Sequence, residues 1–236
     1  MQSFILNKIR TLFELESNAY LKYLAYVLHQ LSNSPTFSFD LFQSLNLHEF
    51  VNFSIKNPKY HCVEPICNFL SNLFKNRFIT SISKQNLKQI IIYSWSYERP
   101  KRCEASIELL IKILEFGDMT NKTILLKIFP IGKTFIEILR DMQPSFSIKC
   151  KITQFLLTFA SKISFEDFSQ LIAFGFFDVI DFIITFSDDF LLEKCSKLIL
   201  DSFQFFVAAG TTDFFISKLK TVDFDSISSE QIDENE

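Results

Sequence analysis

The stretch SDDFLLEKCSKLILDSFQFFVAAG, residues 187–210, reads as one long amphipathic helix that ends at a glycine. A lone cysteine, Cys195, lies near the start of its apolar run. Three more cysteines have the same setting, and the four are separated by 41, 47 and 45 residues: Cys62, Cys103, Cys150 and Cys195. Because a small apolar residue lets neighbouring helices approach closely, we expect these thiols to pack in the core rather than to act as nucleophiles.

The residues between the cysteines repeat as well. Ala19 lies 43 residues before the first cysteine and occupies the same place in the pattern. Gly or Asn comes 16 to 20 residues before each cysteine, which predicts a sharp corner between two helices at Asn46, Asn86, Gly132 and Gly175. Gly117 and Gly210 follow their cysteines by 14 and 15 residues, where a glycine commonly ends a helix. Each unit therefore reads as a short leading helix, a corner, a second helix, a polar loop and a longer third helix.

Composition favours an all-α fold. Only four Gly and six Pro occur among 236 residues, whereas sandwiches and barrels need many turn residues. The 30 Phe supply a continuous core, and we expect nearly all of them to be buried between repeats. The most apolar stretch, residues 173–186, is too short and too acidic to cross a membrane.

Residues 171–200, LIAFGFFDVIDFIITFSDDFLLEKCSKLIL, resemble an armadillo repeat: a glycine before the second helix, an apolar helix, a short acidic loop and a third helix. Residues 127–157, KIFPIGKTFIEILRDMQPSFSIKCKITQFLL, resemble it next best. The resemblance implies a right-handed α-solenoid of about four to five armadillo-like repeats in residues 1–220, with HEAT-like stacking as the alternative. In that family the third helices line the concave side of the solenoid.

Charge is unevenly distributed along the chain. Residues 1–151 contain 19 basic and 12 acidic side chains, whereas residues 152–236 contain 5 and 15. Such a difference is typical of solvated helix faces whose charge drifts along a chain. The alternative interpretation is a polarised array whose two ends attract different partners. Residues 221–236 alone hold six carboxylates and no Lys or Arg, which predicts an acidic disordered tail.

The sequence contains no recognisable catalytic or metal-binding pattern. All three histidines lie within the first 61 residues, so no triad with a general base is apparent. The spacing of His48, His61, Cys62 and Cys67 matches no common zinc site. We therefore expect no enzymatic activity, no small-molecule substrate, no cofactor and no metal. Cysteines without a disulfide spacing, and an amino end without a signal-peptide pattern, predict a cytoplasmic or nuclear protein with no membrane partner.

The concave surface is then the expected binding site. Armadillo proteins of the importin-α family bind basic peptides through an asparagine six positions beyond the small residue and a tryptophan two positions beyond it. Here the asparagine position holds Ala25, Asn68, Leu109, Leu156 and Asp201, and the tryptophan position holds Leu21, Glu64, Ala105, Ile152 and Lys197. The polar members of the two series are the predicted groove residues: Glu64, Asn68, Lys197 and Asp201.

Three functional hypotheses follow. The leading one is a non-enzymatic interaction scaffold or adaptor whose concave face binds an extended or helical segment of a partner protein. The second is a divergent importin-α-like nuclear-transport adaptor, although only Asn68 matches the asparagine ladder of that family. The third is a nucleic-acid-binding solenoid, since the amino-terminal half is basic and its densest basic cluster is Arg99, Lys101 and Arg102, in a single loop. Leu109 and Leu156 interrupt the regular polar series that base reading requires.

Overall fold

The structure is a computed structural model that describes residues 18–34, 38, 40, 47–56, 62–128, 130–185 and 189–222. These residues form twelve α-helices, one π-helical turn and no β-strand, so the all-α prediction is confirmed for this part of the chain. The chain divides into two compact units, of which unit 1 extends to Ile128 and unit 2 begins at Phe129. The predicted corner at Asn46 and the predicted tail from residue 223 onward lie outside the described residues. None of the described helices combines the length and the apolar character that a membrane span requires.

Unit 1 consists of stacked helical hairpins. Its elements are α1 (Asn18–Ser32), α2 (Leu47–Lys56), α3 (Val63–Lys75), α4 (Lys84–Ser94), α5 (Pro100–Phe116), α6 (Met119–Thr123) and a π-helical turn, Ile124–Ile128. The longer helices pack side by side, with α3 between α1 and α5, while α2 packs against α4. The hairpin α2–α3 therefore lies against the hairpin α4–α5, and each buries the apolar faces of the other.

Hydrogen bonds between the hairpins of unit 1 join residues about one repeat apart. The Tyr93 hydroxyl donates to the Ile55 carbonyl at 2.6 Å, across a separation of 38 residues. The Asn72 amide donates to the Ser32 hydroxyl at 2.8 Å, across 40 residues. These bonds satisfy buried polar groups and fix one layer against the next.

Unit 2 is also formed by packed helices. Its helices are α7 (Ile131–Asp141), α8 (Phe146–Ala160), α9 (Phe165–Ala173), α10 (Phe176–Thr185), α11 (Asp189–Ala208) and α12 (Thr212–Leu219). Helix α7 packs against α8 and α10, and α8 packs against α11. Its core contains many aromatic rings: those of Phe135 and Phe155 are in edge-on contact with centres 4.9 Å apart, and those of Phe206 and Phe215 are tilted with centres 4.7 Å apart. Helices α9, α10 and α11 have the predicted order of leading, second and third helix.

Two of the predicted corners have a different role. Asn86 lies inside α4 and is buried, where its amide donates to the Asn52 side chain of α2. Gly132 is the second residue of α7, so the corner falls before it, at Pro130. A Cβ at Gly132 would lie only 2.9 Å from Cε1 of Phe159. The glycine is therefore needed here because it leaves space for the Phe159 ring, and not because the backbone is left-handed. At Gly175, by contrast, the prediction is confirmed, since φ is +112° between α9 and α10.

The predicted leading helix before α4 is wrong. Residues 76–83 contain turns and no helix. Both backbone groups of Ile82 bond instead to the Asn121 side chain, whose oxygen accepts from the amide at 2.8 Å and whose nitrogen donates to the carbonyl at 3.0 Å. A side chain one repeat away thus takes the place of helical hydrogen bonds, and this layer has two helices rather than three.

The cysteine prediction is confirmed for three of the four thiols. Cys62, Cys103 and Cys195 are buried, whereas Cys150 is half-buried. Burial raises the pKa of Cys103 to about 12 and that of Cys62 and Cys195 to about 11, so these thiols stay protonated at neutral pH.

The expectation that nearly all phenylalanines are buried is wrong. Five of the described ones are exposed: Phe146, Phe165, Phe190, Phe203 and Phe205. Three of these belong to α11, where Phe205 is 62% exposed.

Candidate functional site

A concave surface of unit 1 is formed where three helices come together. Residues of α1 and the first turns of α3 and α5 line a groove of about 540 Å³: Lys22, Tyr26, Val63, Glu64, Arg99, Pro100, Lys101 and Arg102. We call this surface the basic groove, because it carries four basic side chains and one carboxylate.

Local sequence explains why two helices begin at the basic groove. Proline has a fixed φ and lacks the N–H that the first turn leaves unbonded, so it is favoured at a helix start. Pro100 is the first residue of α5, and Pro65 lies in the first turn of α3. Neither start has a side-chain cap, since neither Cys62 nor Arg99 accepts a hydrogen bond from its helix through its side chain. The positive ends of both helix dipoles therefore add to the charge of the lysines and arginines.

Glu64 is the single carboxylate of the basic groove, and it lies close to α1. Burial raises the pKa of Tyr26, and the negative charge of Glu64 raises it further. Burial lowers the pKa of His29, against the opposing effect of Glu64, so this histidine is neutral at neutral pH. The four basic side chains thus outnumber the groove's own carboxylate and leave a positive surface.

Arg102 is the most restrained basic side chain of the groove. Its guanidinium carbon lies 3.7 Å from the centre of the Tyr93 ring, which is the geometry of a cation–π contact. The Tyr93 hydroxyl is itself held by the Ile55 carbonyl at 2.6 Å. Burial and the nearby Arg99 charge lower the pKa of Arg102, but an arginine starts so high that the guanidinium stays charged.

A second depression adjoins the basic groove and shares Arg99 and Arg102 with it. Its volume is about 520 Å³, and its walls come from the α4–α5 loop and the start of α5: Trp95, Ser96, Tyr97, Glu98, Arg99 and Arg102. We call it the loop pocket. Two of its buried donors, Nε1 of Trp95 and Nε of Arg102, have no hydrogen-bond partner among the described residues.

The four residues predicted for a single groove lie in two units. Glu64 and Asn68 are half-buried on α3, one helical turn apart, and Glu64 lines the basic groove. Lys197 and Asp201 are exposed on α11 in unit 2. At the corresponding positions of the other repeats the side chains are buried: Leu21, Ala25, Ala105, Leu109, Ile152 and Leu156. No series of polar side chains recurs at this position from repeat to repeat within the described chain.

Most of the groove was not predicted. The cluster of Arg99, Lys101 and Arg102 was expected in a loop, whereas Lys101 and Arg102 belong to the first turn of α5. Proline before the basic pair was the available signal, because proline at the start of a helix places the next two residues in its first turn. Nothing in the sequence indicated that Lys22 joins this cluster.

Unit 2 carries an exposed apolar row on one helix. Leu200, Phe203 and Val207 lie at helical spacing on α11 and are exposed, with Leu200 66% exposed. Lys197 and Asp201 lie beside this row. Among the described residues of either unit, no three His, Cys, Asp or Glu side chains come together in a way that would hold a metal ion.

No protein-family model matches the chain, and no curated protein matches it. Its structure is similar to two engineered proteins whose crystal structures come from the Northeast Structural Genomics Consortium. One has a TM-score of 0.65 at 13% identity over 94% of this chain and 93% of that chain. The other has a TM-score of 0.61 at 13% identity over 94% of both chains. Likeness at this level of identity concerns the fold alone.

Proposed function

We propose that the protein is a non-enzymatic interaction scaffold, an armadillo- or HEAT-like stack of helical layers, whose basic groove binds an acidic, extended segment of a partner protein. The stacked hairpins of unit 1 support the first part, because such layers create long grooves between successive helices. The positive net charge of the groove supports the second part, because it favours a negatively charged partner. A cytoplasmic or nuclear location belongs to the same proposal.

The observation that carries the proposal is the convergence of Lys22, Arg99, Lys101 and Arg102 around one short groove. Each exposed ion pair contributes only about 0.2–1 kcal/mol, so several must act together to hold a ligand. Two uncapped helix starts add backbone donors for the same acidic groups. Because the lysines are exposed, the affinity should fall as salt screens them.

The shape of the site favours a peptide over a nucleic acid. A solenoid that reads RNA needs polar side chains at one position of every repeat, and here Ala25, Leu109 and Leu156 are buried at that position. Four basic residues instead line one short groove, which suits a short acidic segment. Lysine-rich peptides, the ligands expected of a nuclear-transport adaptor, would meet repulsion there.

The test is a binding titration of the full chain with a fluorescently labelled peptide of alternating Glu and Ser, followed by anisotropy. We expect saturable binding that weakens with salt and that drops about fivefold or more when Lys22→Gln and Lys101→Gln are combined. Lys88→Gln is the matched control, because Lys88 is an exposed lysine of α4 outside the groove, and it should leave the affinity unchanged.

Two other probes decide between the hypotheses. Tight binding of single-stranded RNA with no binding of the acidic peptide would replace the proposal by the nucleic-acid hypothesis. Binding of a lysine-rich peptide that is weakened by Asn68→Ala would replace it by the nuclear-transport hypothesis. If none of the three probes binds, the basic groove is not an interaction site.

A further inference from the structure

The loop pocket contains two donors that the protein itself leaves unused. Nε1 of Trp95 and Nε of Arg102 are both buried, and neither has a hydrogen-bond partner in the described structure. Both residues line the same depression. Buried N–H groups are almost always paired, so two unpaired donors in one pocket indicate that an acceptor from outside completes the site. Their chemistry also selects the ligand, since indole and guanidinium groups donate and never accept.

The guanidinium of Arg102 is held in place before any ligand arrives. Its carbon lies 3.7 Å from the centre of the Tyr93 ring, so the ring covers one face of the group and restrains it. The Cys103 thiol next to it donates to the Ser94 carbonyl at 3.0 Å, so the first turn of α5 is fixed to the end of α4. Bonds within the loop hold the opposite wall, since the Arg99 amide donates to the Ser96 carbonyl at 2.9 Å. A rigid, planar donor edge favours a planar ligand that has two acceptor oxygens.

We infer that the loop pocket binds a single carboxylate, through Nε–H and a terminal N–H of Arg102 and through the indole N–H of Trp95. This inference rests on the proposed function, because it identifies the anchor that holds one acidic group of the segment lying in the basic groove. Arg99, shared by both surfaces, adds a positive charge at the boundary. Glu98 lines the pocket and opposes any anion, and it opposes a doubly charged phosphate more than a carboxylate.

The protein carries its own reporter for the test. Trp95 is its only tryptophan, so the intrinsic tryptophan emission of the full chain comes from the loop pocket alone. Three probes separate the sources of a carboxylate: the Glu–Ser peptide with blocked termini, the same peptide with Gln in place of Glu, and a Gln–Ser peptide with a free carboxyl terminus. Inorganic phosphate is the fourth probe.

We expect a saturable change in Trp95 emission with the Glu–Ser peptide and none with its blocked Gln counterpart. A change with the free terminus as well would show that the pocket also takes a terminal carboxylate. Arg102→Lys keeps the charge but loses the two-pronged donor edge, and it should weaken peptide binding by about tenfold or more. Glu98→Gln should tighten binding by about two- to threefold by removing the opposing charge. Lys88→Gln should again have no effect.

Trp95→Phe provides a second variant that keeps an aromatic ring and loses only the indole donor. Measured by anisotropy of the labelled peptide, its affinity should fall by about threefold or more. Far-ultraviolet circular dichroism establishes that each variant is folded before its affinity is compared.

Several outcomes would overturn the inference. If the Glu–Ser peptide binds in a way that depends on Lys22 and Lys101, but Trp95 emission stays constant and Arg102→Lys and Trp95→Phe bind normally, the carboxylate pocket is wrong while the proposed function stands. If phosphate changes the emission as strongly as the peptide does, the ligand is not specifically a carboxylate. If the peptide does not bind at all, both proposals fail.

Discussion

Replacing Arg77 by glycine should stabilise unit 1. Arg77 follows α3 with φ at +58°, a left-handed backbone that is rare for a residue with a Cβ. The turn around it is complete, because the Phe78 amide donates to the Leu73 carbonyl at 2.9 Å and the Arg77 amide to the Phe74 carbonyl at 3.0 Å. This pair of bonds is the Schellman motif, whose left-handed position normally holds glycine. The arginine is thus a strained residue in an otherwise favourable turn.

The same motif ends α11 and there has the usual residue. The Thr211 amide donates to the Phe206 carbonyl at 3.0 Å, and Gly210, at φ +68°, donates to the Val207 carbonyl at 3.1 Å. No atom lies within 4 Å of a Cβ added at Gly210, so Gly210→Ala changes only the backbone energy. The two sites therefore form a reciprocal pair of experiments.

The expected change in the free energy of unfolding is the difference between two opposing contributions. A left-handed backbone costs about 1–2 kcal/mol for a residue with a Cβ. Glycine costs about 0.5–1 kcal/mol through the greater freedom of the unfolded chain. Arg77→Gly should therefore raise the free energy of unfolding by about 0.5–1 kcal/mol, which corresponds to about 1–4 °C in Tm for a chain of this size. Gly210→Ala should lower it by a similar amount.

The assay is urea unfolding of the full chain. Trp95 emission follows unit 1 for the Arg77 variants, and circular dichroism follows the Gly210 variant. Arg77→Ala is the control, because it removes the side chain but keeps the strained backbone, and it should change stability by less than about 0.5 kcal/mol. If Arg77→Gly is no more stable than Arg77→Ala, the backbone at this position is not under strain and the reasoning fails.

Three further predictions concern packing and protonation. Gly132→Ala should destabilise unit 2 by about 1–3 kcal/mol in urea unfolding, because its Cβ would meet the buried Phe159 ring at 2.9 Å; an unchanged midpoint would show that the ring yields freely. Phe155→Ala should cost about 3–5 kcal/mol, whereas the exposed Phe205→Ala should cost less than about 0.5 kcal/mol. Burial raises the pKa of Cys103 to about 12, above the value of about 8.5 for a free thiol. Its contribution to stability is therefore present below about pH 8.5 and lost as the pH rises towards 12, so Cys103→Ala should reduce the alkaline loss of stability measured between about pH 7.5 and 10.

The parts of the fold that the sequence predicted are those that depend on local chemistry. Gly175 and Gly210 have the left-handed backbone expected of a corner and a helix end, and only glycine adopts it readily. In the first half of α11 the buried face follows helical spacing, because Leu191, Cys195 and Leu198 are all buried. Such signals come from residues close together in the chain.

The predictions that were wrong depend on contacts between residues far apart in the chain. Asn86 was expected at a corner because asparagine tolerates a left-handed backbone, but its partner is Asn52, 34 residues away. The helix expected before α4 is absent because the Asn121 side chain, 39 residues from Ile82, hydrogen-bonds to the backbone of the loop. Long-range polar pairs of this kind override local preference, and a single sequence gives no sign of them.

The candidate site was predictable only in part. Glu64 was identified from the armadillo resemblance and does line the basic groove, although a series of polar residues along the third helices does not exist in the described chain. Lys22 and Arg102 come from helices that only packing brings together. The exposed Phe203 and Phe205 were expected in the core because composition gives the number of aromatic residues but not the direction in which each one points.

The asparagine and tyrosine bonds between the hairpins of unit 1 have a consequence for how this unit assembles. Each closes a ring of about forty residues, since the pairs are 38 to 40 positions apart. The entropy lost on ring closure grows only with the logarithm of ring size, and no ring here spans the whole unit. Adding a hairpin would therefore create one more ring of the same size. The entropy lost in closing the other rings would not change. A chain built in this way can lengthen by whole hairpins without increasing the sequence separation of the contacts that join them.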